Sequence, residues 1–142
     1  MLRAVIVFCD LEPLPIAVRT PARVLLRWLV ERTMRPGFRH CMVVLQHPSG
    51  GLTVLDPTMT GLRIHQLASD SYLDDLALGQ VLERVRLVVV PVPAEDWQIR
   101  FGWRTCVGFV RNLLGLPTRR LVLTPWALYR EISGIERQEA GL

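Results

Sequence analysis

The chain has 142 residues, of which 50% are hydrophobic and 21% are charged, and its formal net charge is +4. This length and composition predict a single folded domain over residues 1–142 and exclude an intrinsically disordered chain. All 17 basic residues are arginines, and six of them fall within residues 19–39. Because no aromatic pattern or known binding module accompanies them, we expect a solvated basic face and no nucleic-acid partner.

The three cysteines, Cys9, Cys41 and Cys106, lie far apart in the sequence. Such a sparse set is typical of a reducing compartment rather than of a disulfide framework. The apolar run at the N-terminus is too short for a signal peptide, and no segment has the length of a membrane span. We therefore expect a protein without a transmembrane segment that is cytoplasmic or associated with a virus particle.

The hydrophobic pattern predicts a mixture of strands and helices. Most of the strands fall in the first half of the chain, where several follow one another directly. In order, a strand, a helix and three strands are predicted at residues 3–8, 21–33, 39–45, 52–57 and 60–67. A helix, a long strand and two helices follow at residues 70–78, 81–92, 94–115 and 124–133. Thr20-Pro21 and Thr124-Pro125 are typical helix starts, and Gly115 is a typical helix end. Since short turns join neighbouring strands, we expect an antiparallel sheet and an α+β fold.

The stretch WRTCVGFVRNLLGL, residues 103–116, places Cys106 on the apolar side of a predicted helix. A cysteine in such a position is either a small core residue or a nucleophile that faces the sheet. If the helix starts after Thr105 as its N-cap, the positive end of the helix dipole lies at Cys106 and favours a thiolate. If one helix runs unbroken from residue 94, Cys106 lies in mid-helix and loses this stabilisation.

His40 is at the start of the strand predicted for residues 39–45, near one end of the sheet, where a site can open to solvent. We expect the following strand to return as a hairpin, with Gln46 paired with Gly51. This pairing brings residue 57 opposite His40 and so places Asp56 beside His40, to within one residue of register. A carboxylate there can accept the second ring N–H of the imidazole and fix its tautomer.

These residues together predict a site with a nucleophile, a base and a group that orients the base. Cys106 is the candidate nucleophile, His40 the candidate base and Asp56 the candidate orienting residue. His65, on the next predicted strand, is an alternative to Asp56 as the residue that orients the base.

The other cysteines and histidines do not predict a metal site. Cys41 alternates with His40 along the strand and is expected to face the core, away from the site. His47 falls in the hairpin loop and is expected to be solvated. Because zinc sites generally use close cysteine pairs, which this set lacks, we expect no metal and no other cofactor.

Four stretches follow one another over residues 38–133: FRHCMVVL, LTVLDPTMTGLRIHQL, RTCVGFVRNLLGL and TPWALYREI. In this order they resemble the circularly permuted NlpC-like branch of the papain-like cysteine hydrolases. That branch includes the YiiX-type amidases and the lecithin–retinol acyltransferase group, and its histidine strand precedes its cysteine helix. Thr105 departs from the pattern, because relatives more commonly have asparagine before the cysteine.

The resemblance implies a papain-like antiparallel sheet packed against the nucleophile helix. It also implies that Cys106 is the nucleophile, His40 the base and Asp56 the third polar residue of a cysteine amidase or peptidase. The implied substrates are peptide-like amides such as those of peptidoglycan, which would give a cell-wall partner. Two alternatives are a thiol acyltransferase that acts on lipid acyl groups and a non-catalytic phage or prophage structural or accessory protein with a virion partner.

Overall fold

The computed structural model describes residues 2–11, 20–58, 61–67, 71–92, 105–116 and 122–139. Within these ranges the strands are β1 (Leu2–Cys9), β2 (His40–Gln46), β3 (Leu52–Thr58), β4 (Gly61–Leu67) and β5 (Arg86–Val92). The helices are α1 (Pro21–Thr33), α2 (Ser71–Val81), α3 (Cys106–Leu113) and α4 (Pro125–Glu139).

The five strands form one antiparallel sheet in the order β4-β3-β2-β1-β5. From Ala4 to Cys9, β1 is an unbroken apolar run because it pairs on both edges and is covered on both faces, with Ile6 and Val7 both fully buried. The predicted antiparallel α+β fold is therefore confirmed.

A separate apolar core lies on each face of the sheet. The larger core contains side chains of the sheet, of α3 and of α4, among them Ile6, Phe8, Cys41, Val43, Val88, Phe109 and Leu128. The smaller core contains side chains from α2 together with Val5, Val7, Val44, Leu52, Val54 and Leu76. Alternate residues of β1 and β2 thus point to different helices, as the two-residue period of a strand requires.

Some elements differ from their predicted lengths, and α4 continues to Glu139 rather than ending at residue 133. The strand predicted for residues 81–92 begins only at Arg86, because α2 continues to Val81 and a turn follows it. Glu83 in this turn has a positive φ of 57°, a backbone conformation that ends a helix. The helix predicted for residues 94–115 is described only from Cys106 onward, and its first part lies outside the described residues.

Helix α3 is fixed at its C-terminal end by a glycine and by an ion pair. Gly115 has φ of 64°, and the Leu116 N–H donates to the Arg111 carbonyl at 3.0 Å, so the predicted cap is confirmed. The Arg111 side chain is buried and donates to Glu131 of α4 at 2.7 Å. Because a buried charge needs a partner, this pair links α3 to α4.

Helix α1 begins as predicted but packs differently from a typical amphipathic helix. The Thr20 hydroxyl accepts a hydrogen bond from the Arg23 N–H at 3.4 Å, and Pro21 is the first helical residue. No residue of α1 is buried. The leucines and the tryptophan that give this helix its apolar side therefore do not join either core.

Candidate active site

The sheet opens between β2 and β3 at the end where β2 begins. The described β2–β3 ladder has four pairs, from Gln46↔Leu52 to Val43↔Leu55. Beyond these pairs β2 stays with β1, and β3 stays with β4. In the described sheet, the first residues of β2 and the last residues of β3 therefore do not pair with each other. Their backbone groups on that side are available to a third element.

A proline explains why the ladder stops. The His47 N–H donates to the Gly51 carbonyl at 2.8 Å, so alternate residues of β2, including Cys41, direct their N–H groups towards β3. The same register, continued, places Pro57 opposite Cys41. Since proline has no N–H to return to the Cys41 carbonyl, this pair would lack one of its two hydrogen bonds, which weakens the ladder at this point.

The observed hairpin register differs by one residue from the Gln46–Gly51 pairing, within the one-residue margin of the prediction, and the difference determines which side chains meet. Gln46 pairs with Leu52 rather than with Gly51. Because side chains alternate between faces, a shift of one residue exchanges the faces of every residue on the returning strand. The observed register puts His40 and Asp56 on the same face, as diagonal neighbours.

His40 and Asp56 form a short hydrogen bond. The His40 Nε2 and the Asp56 Oδ1 are 2.6 Å apart, and both side chains are partly buried. This hydrogen bond lowers the pKa of Asp56 against the opposing effect of burial, and the charge of Arg63 acts in the same direction. His65, the alternative orienting residue, is exposed, and it acts on Asp56 only through longer-range charge.

Helix α3 begins at Cys106, which confirms the prediction that Thr105 is its N-cap. Thr105 has an extended backbone, and its hydroxyl accepts a hydrogen bond from the Gly108 N–H at 3.0 Å. α3 packs against both β2 and β3, so its N-terminal end lies at the opening between these strands. The positive end of the helix therefore coincides with the sulfur and favours a thiolate.

Two neighbouring residues of β2 lie close enough to the Cys106 sulfur to lower the pKa of its thiol. The thiol and the backbone N–H of Cys41 act on it through hydrogen bonding, and so does the imidazole of His40. Since Asp56 takes the Nε2 atom of the imidazole, the Nδ1 atom is left for the sulfur. The Cys41 thiol, the largest influence, and the His40 interactions lower the pKa of Cys106 to about 5, although burial opposes them.

The ionisation of His40 is shifted in the opposite direction. Burial alone would lower the pKa of His40, but hydrogen bonds to Asp56 and Cys106 raise it to about 9. Over the pH range between these two pKa values, the site holds a thiolate beside an imidazolium. Each charge stabilises the other. Either charge without its partner would cost free energy at this partly buried site.

Cys41 fills the core as expected, but it does not lie away from the site. Its side chain is fully buried in the larger core, yet its thiol hydrogen-bonds to Cys106, and this contact raises the pKa of Cys41 well above its usual value. Strand alternation correctly separates the side chains of His40 and Cys41. It does not show that α3 begins at the opening between β2 and β3, where Cys106 lies near both His40 and Cys41. Pro57 is the signal in the sequence that points to this opening.

Removing the Cys41 thiol is expected to make Cys106 less acidic. Cys41→Ala deletes a donor to the thiolate, so the pKa of Cys106 should rise by about one unit. The measurement is the rate of Cys106 alkylation as a function of pH, followed by mass spectrometry. Cys41→Ser is the matched control, because it keeps a donor of similar size and should give a smaller shift. Equal midpoints in wild type and Cys41→Ala would contradict the assigned contact.

His47, in the hairpin that follows β2, forms its hydrogen bond outside the candidate site. The His47 Nε2 lies 2.9 Å from the Thr53 hydroxyl, at the opposite end of β2 from His40. Among the described residues, no group of three or more histidine, cysteine, aspartate or glutamate side chains is placed to hold a metal ion. The set of His40, Cys41 and His47 is thus not brought together.

Comparisons of this chain with protein-family models, with curated proteins and with solved structures find no match. The function is therefore inferred from the geometry of Cys106, His40, Cys41 and Asp56. In the part of the chain that the structure describes, no helix combines the length and the apolar character needed to cross a bilayer.

Proposed function

We propose that this protein is a cysteine-dependent hydrolase of amide or ester bonds that works through a thioester on Cys106. The observation that carries the proposal is the juxtaposition of Cys106, at the start of α3, with a His40 imidazole that Asp56 holds at 2.6 Å. Such an enzyme needs a nucleophile, a base and a group that orients the base.

The proposed reaction starts from the ion pair. The Cys106 thiolate attacks the carbonyl carbon of the substrate, and the carbonyl electron pair moves to the oxygen. The N–H of Cys106, at the first position of α3, is the proposed donor to this oxyanion. The His40 imidazolium gives its Nδ1 proton to the leaving amine or alcohol as the tetrahedral intermediate collapses, which leaves a thioester and a neutral imidazole.

Water completes the proposed cycle. Neutral His40 takes a proton from a water molecule, whose oxygen attacks the thioester carbon. Collapse of the second tetrahedral intermediate releases a carboxylic acid and restores the Cys106 thiolate beside the imidazolium. Throughout both halves, Asp56 accepts the Nε2–H hydrogen bond and keeps Nδ1 directed at the sulfur, and it does not itself become protonated.

We further propose that the fold is papain-like and permuted, and that the substrates are peptide-like amides such as those of peptidoglycan. The antiparallel sheet, the histidine on a strand that precedes the cysteine helix, and the cysteine at the helix start all support this proposal. Transfer to an acceptor other than water would use the same thioester. A turnover assay with a peptide amide and an acyl ester distinguishes these substrate classes.

The proposal predicts that iodoacetamide modifies Cys106 selectively and in mildly acidic solution. Its rate should rise with a midpoint near the Cys106 pKa of about 5, and at about pH 6 it should exceed the rates of Cys9 and Cys41 at least about tenfold. His40→Ala should move this midpoint upward by at least about one unit, because an adjacent cation is lost. Slow and equal labelling of all three cysteines would contradict the proposal and favour a non-catalytic role.

A further inference from the structure

Two of the three cysteines of the chain lie side by side at the candidate site. Cys41, on β2, is fully buried in the larger core, and Cys106, the first residue of α3, packs against the same core. The thiol and the backbone N–H of Cys41 both act on the Cys106 sulfur through hydrogen bonding. A sulfur that is close to both groups of one residue is also close to the Cα atom of that residue, which is the arrangement that a disulfide needs.

The surroundings give the two thiols different chemical characters. The Cys41 thiol and the His40 imidazole lower the pKa of Cys106 to about 5, so Cys106 is a thiolate near neutral pH. The same contact, together with burial, raises the pKa of Cys41 well above its usual value. Because the thiolate is the form that peroxides oxidise, Cys106 is the sulfur that reacts first. Cys41 remains a thiol beside it.

The proposed hydrolysis does not use the sulfur of Cys41. Attack, proton transfer and release of both products involve Cys106, His40 and Asp56, and a hydroxyl in place of the Cys41 thiol could also donate to the thiolate. A second sulfur next to an acidic cysteine has a property that a hydroxyl lacks, since it can form a covalent bond to an oxidised sulfur. The chemistry of the pair therefore indicates a redox role for Cys41.

Cys9 is placed differently from the other two cysteines. In the β1–β2 ladder Cys9 pairs with His40, whereas Cys41 pairs with Phe8. Since neighbouring residues of a strand point to opposite faces, the side chains of Cys9 and Cys41 lie on opposite faces of the sheet. A disulfide between Cys9 and Cys41 would have to cross the sheet, so Cys106 is the suitable partner of Cys41.

We propose that hydrogen peroxide converts Cys106 and Cys41 into a reversible disulfide, in which Cys106 is oxidised first and Cys41 resolves the oxidised form. This inference goes beyond the proposed function and does not depend on it, because the disulfide is detected without turnover. Only its effect on activity depends on the proposed function: a Cys106 sulfur bonded to Cys41 cannot attack a carbonyl carbon.

The first step oxidises Cys106. Its thiolate attacks one oxygen of the peroxide, so that a sulfur–oxygen bond forms as the oxygen–oxygen bond breaks. The departing hydroxide takes a proton from the His40 imidazolium and leaves as water. Cys106 is then a sulfenic acid, and His40 is neutral.

The second step forms the disulfide. The Cys41 sulfur attacks the Cys106 sulfur, and the sulfur–oxygen bond breaks as the sulfur–sulfur bond forms. The departing hydroxide takes the proton of the Cys41 thiol and leaves as a second water. Two thiol groups are thus oxidised to one disulfide, while one peroxide is reduced to two waters.

The resolving step protects the acidic cysteine. A sulfenic acid without a neighbouring thiol is oxidised further to a sulfinic acid, which small thiols do not reduce. A disulfide is reduced by a dithiol, so the Cys106 thiolate is recovered. Reversible disulfides of this kind are the type that forms in reducing compartments.

The test is mass spectrometry of the full chain after treatment with hydrogen peroxide at neutral pH and blocking of the remaining free thiols. Cleavage at arginine puts Cys9, Cys41 and Cys106 into three different peptides, residues 4–19, 40–63 and 105–111. Peptides 40–63 and 105–111 should be recovered as one disulfide-linked species, at least about tenfold more abundant than any linked species that contains Cys9.

Cys41→Ser removes the resolving sulfur. In this variant Cys106 should proceed to the sulfinic acid, and dithiothreitol should recover at least about tenfold less free Cys106 than in the wild type. Cys41→Ala is a second variant without a hydroxyl in the core, and circular dichroism checks that both are folded. Cys9→Ser is the matched control and should form the disulfide and recover as the wild type does.

Three results would overturn the inference: oxidation of wild-type Cys106 to the sulfinic acid without any linked peptide, equal recovery of Cys106 in the wild type and both Cys41 variants, or a linked species that contains Cys9 in place of Cys41. Turnover before and after oxidation tests the effect on activity. A disulfide between Cys41 and Cys106 in a chain without hydrolase activity would support this inference and contradict the proposed function alone.

Discussion

Replacing Cys106 with serine is expected to lower the hydrolysis of a peptide amide or an activated ester by at least about a thousandfold. A serine hydroxyl is not ionised near neutral pH, so the attacking group would have to lose its proton during the reaction. His40 is poorly suited to remove that proton, because its raised pKa reflects a site built around an anionic sulfur. The measurement is kcat/KM of the purified variant against the wild type.

Cys9→Ser serves as the control for this experiment. Cys9 is the cysteine that is neither the candidate nucleophile nor one of the assigned hydrogen-bond donors to Cys106. Its replacement should therefore leave kcat/KM within about twofold of the wild type. Turnover that survives in Cys106→Ser, at a rate close to that of Cys9→Ser, would exclude Cys106 as the nucleophile.

The second large effect is expected from Asp56→Ala. Without the carboxylate, the imidazole of His40 is neither oriented nor stabilised as a cation, and kcat/KM near neutral pH should fall by about a hundredfold. The pH profile should change as well. Because the hydrogen bond to Asp56 raises the pKa of His40 while burial lowers it, removal of Asp56 moves the alkaline limb of the profile down from about 9.

Asp56→Asn separates orientation from charge. The amide keeps an oxygen that accepts the Nε2–H hydrogen bond, so the ring should stay oriented and the loss of activity should be smaller than in Asp56→Ala. The negative charge is absent in both variants, so both should show the lowered alkaline limb. An alkaline limb at the wild-type position in both variants would mean that Asp56 does not act on His40.

The order and the class of most elements could be predicted from local pattern. The apolar run of β1, the hairpin between β2 and β3, and the threonine-proline helix starts are all signals that lie within a few residues of one another. The register of the hairpin is not of this kind. It depends on the turn, in which Gly50 has φ of 87° and the His47 N–H bonds to the Gly51 carbonyl, and a local pattern does not distinguish this from a neighbouring pairing.

The candidate site could be predicted only in part for a similar reason. Spacing and alternation brought His40, Asp56 and Cys106 forward as candidates, because each has a recognisable place on a strand or helix, and the family resemblance added to the case for all three. The contact of Cys41 with the sulfur depends on how α3 is seated against the sheet. The ion pair between Arg111 and Glu131 joins residues that are 20 positions apart on different helices, and helical periodicity assigns Arg111 to a solvated face.

The outward apolar face of α1 shows a further limit of periodicity. The spacing of Leu25, Trp28 and Leu29 predicts an amphipathic helix but not which way it turns. Burial normally decides this, and here it is the arginine contacts on the opposite stripe that do so. Local pattern thus predicts the presence and the bounds of α1, whereas its orientation is evident only in the structure.

The alternation of side chains along β3 also limits how this hairpin can change length during evolution or engineering. Leu52 and Val54 hold the register through the smaller core, and Asp56 lies on the same face two residues further on. Deletion of one residue of β3 before Asp56 would move its carboxylate to the opposite face of the sheet. Deletion of two residues would return it to the original face. The exposed hairpin tip at residues 48–50 is under no such parity rule, so it is the segment where tags, epitopes or family-specific insertions can be accommodated.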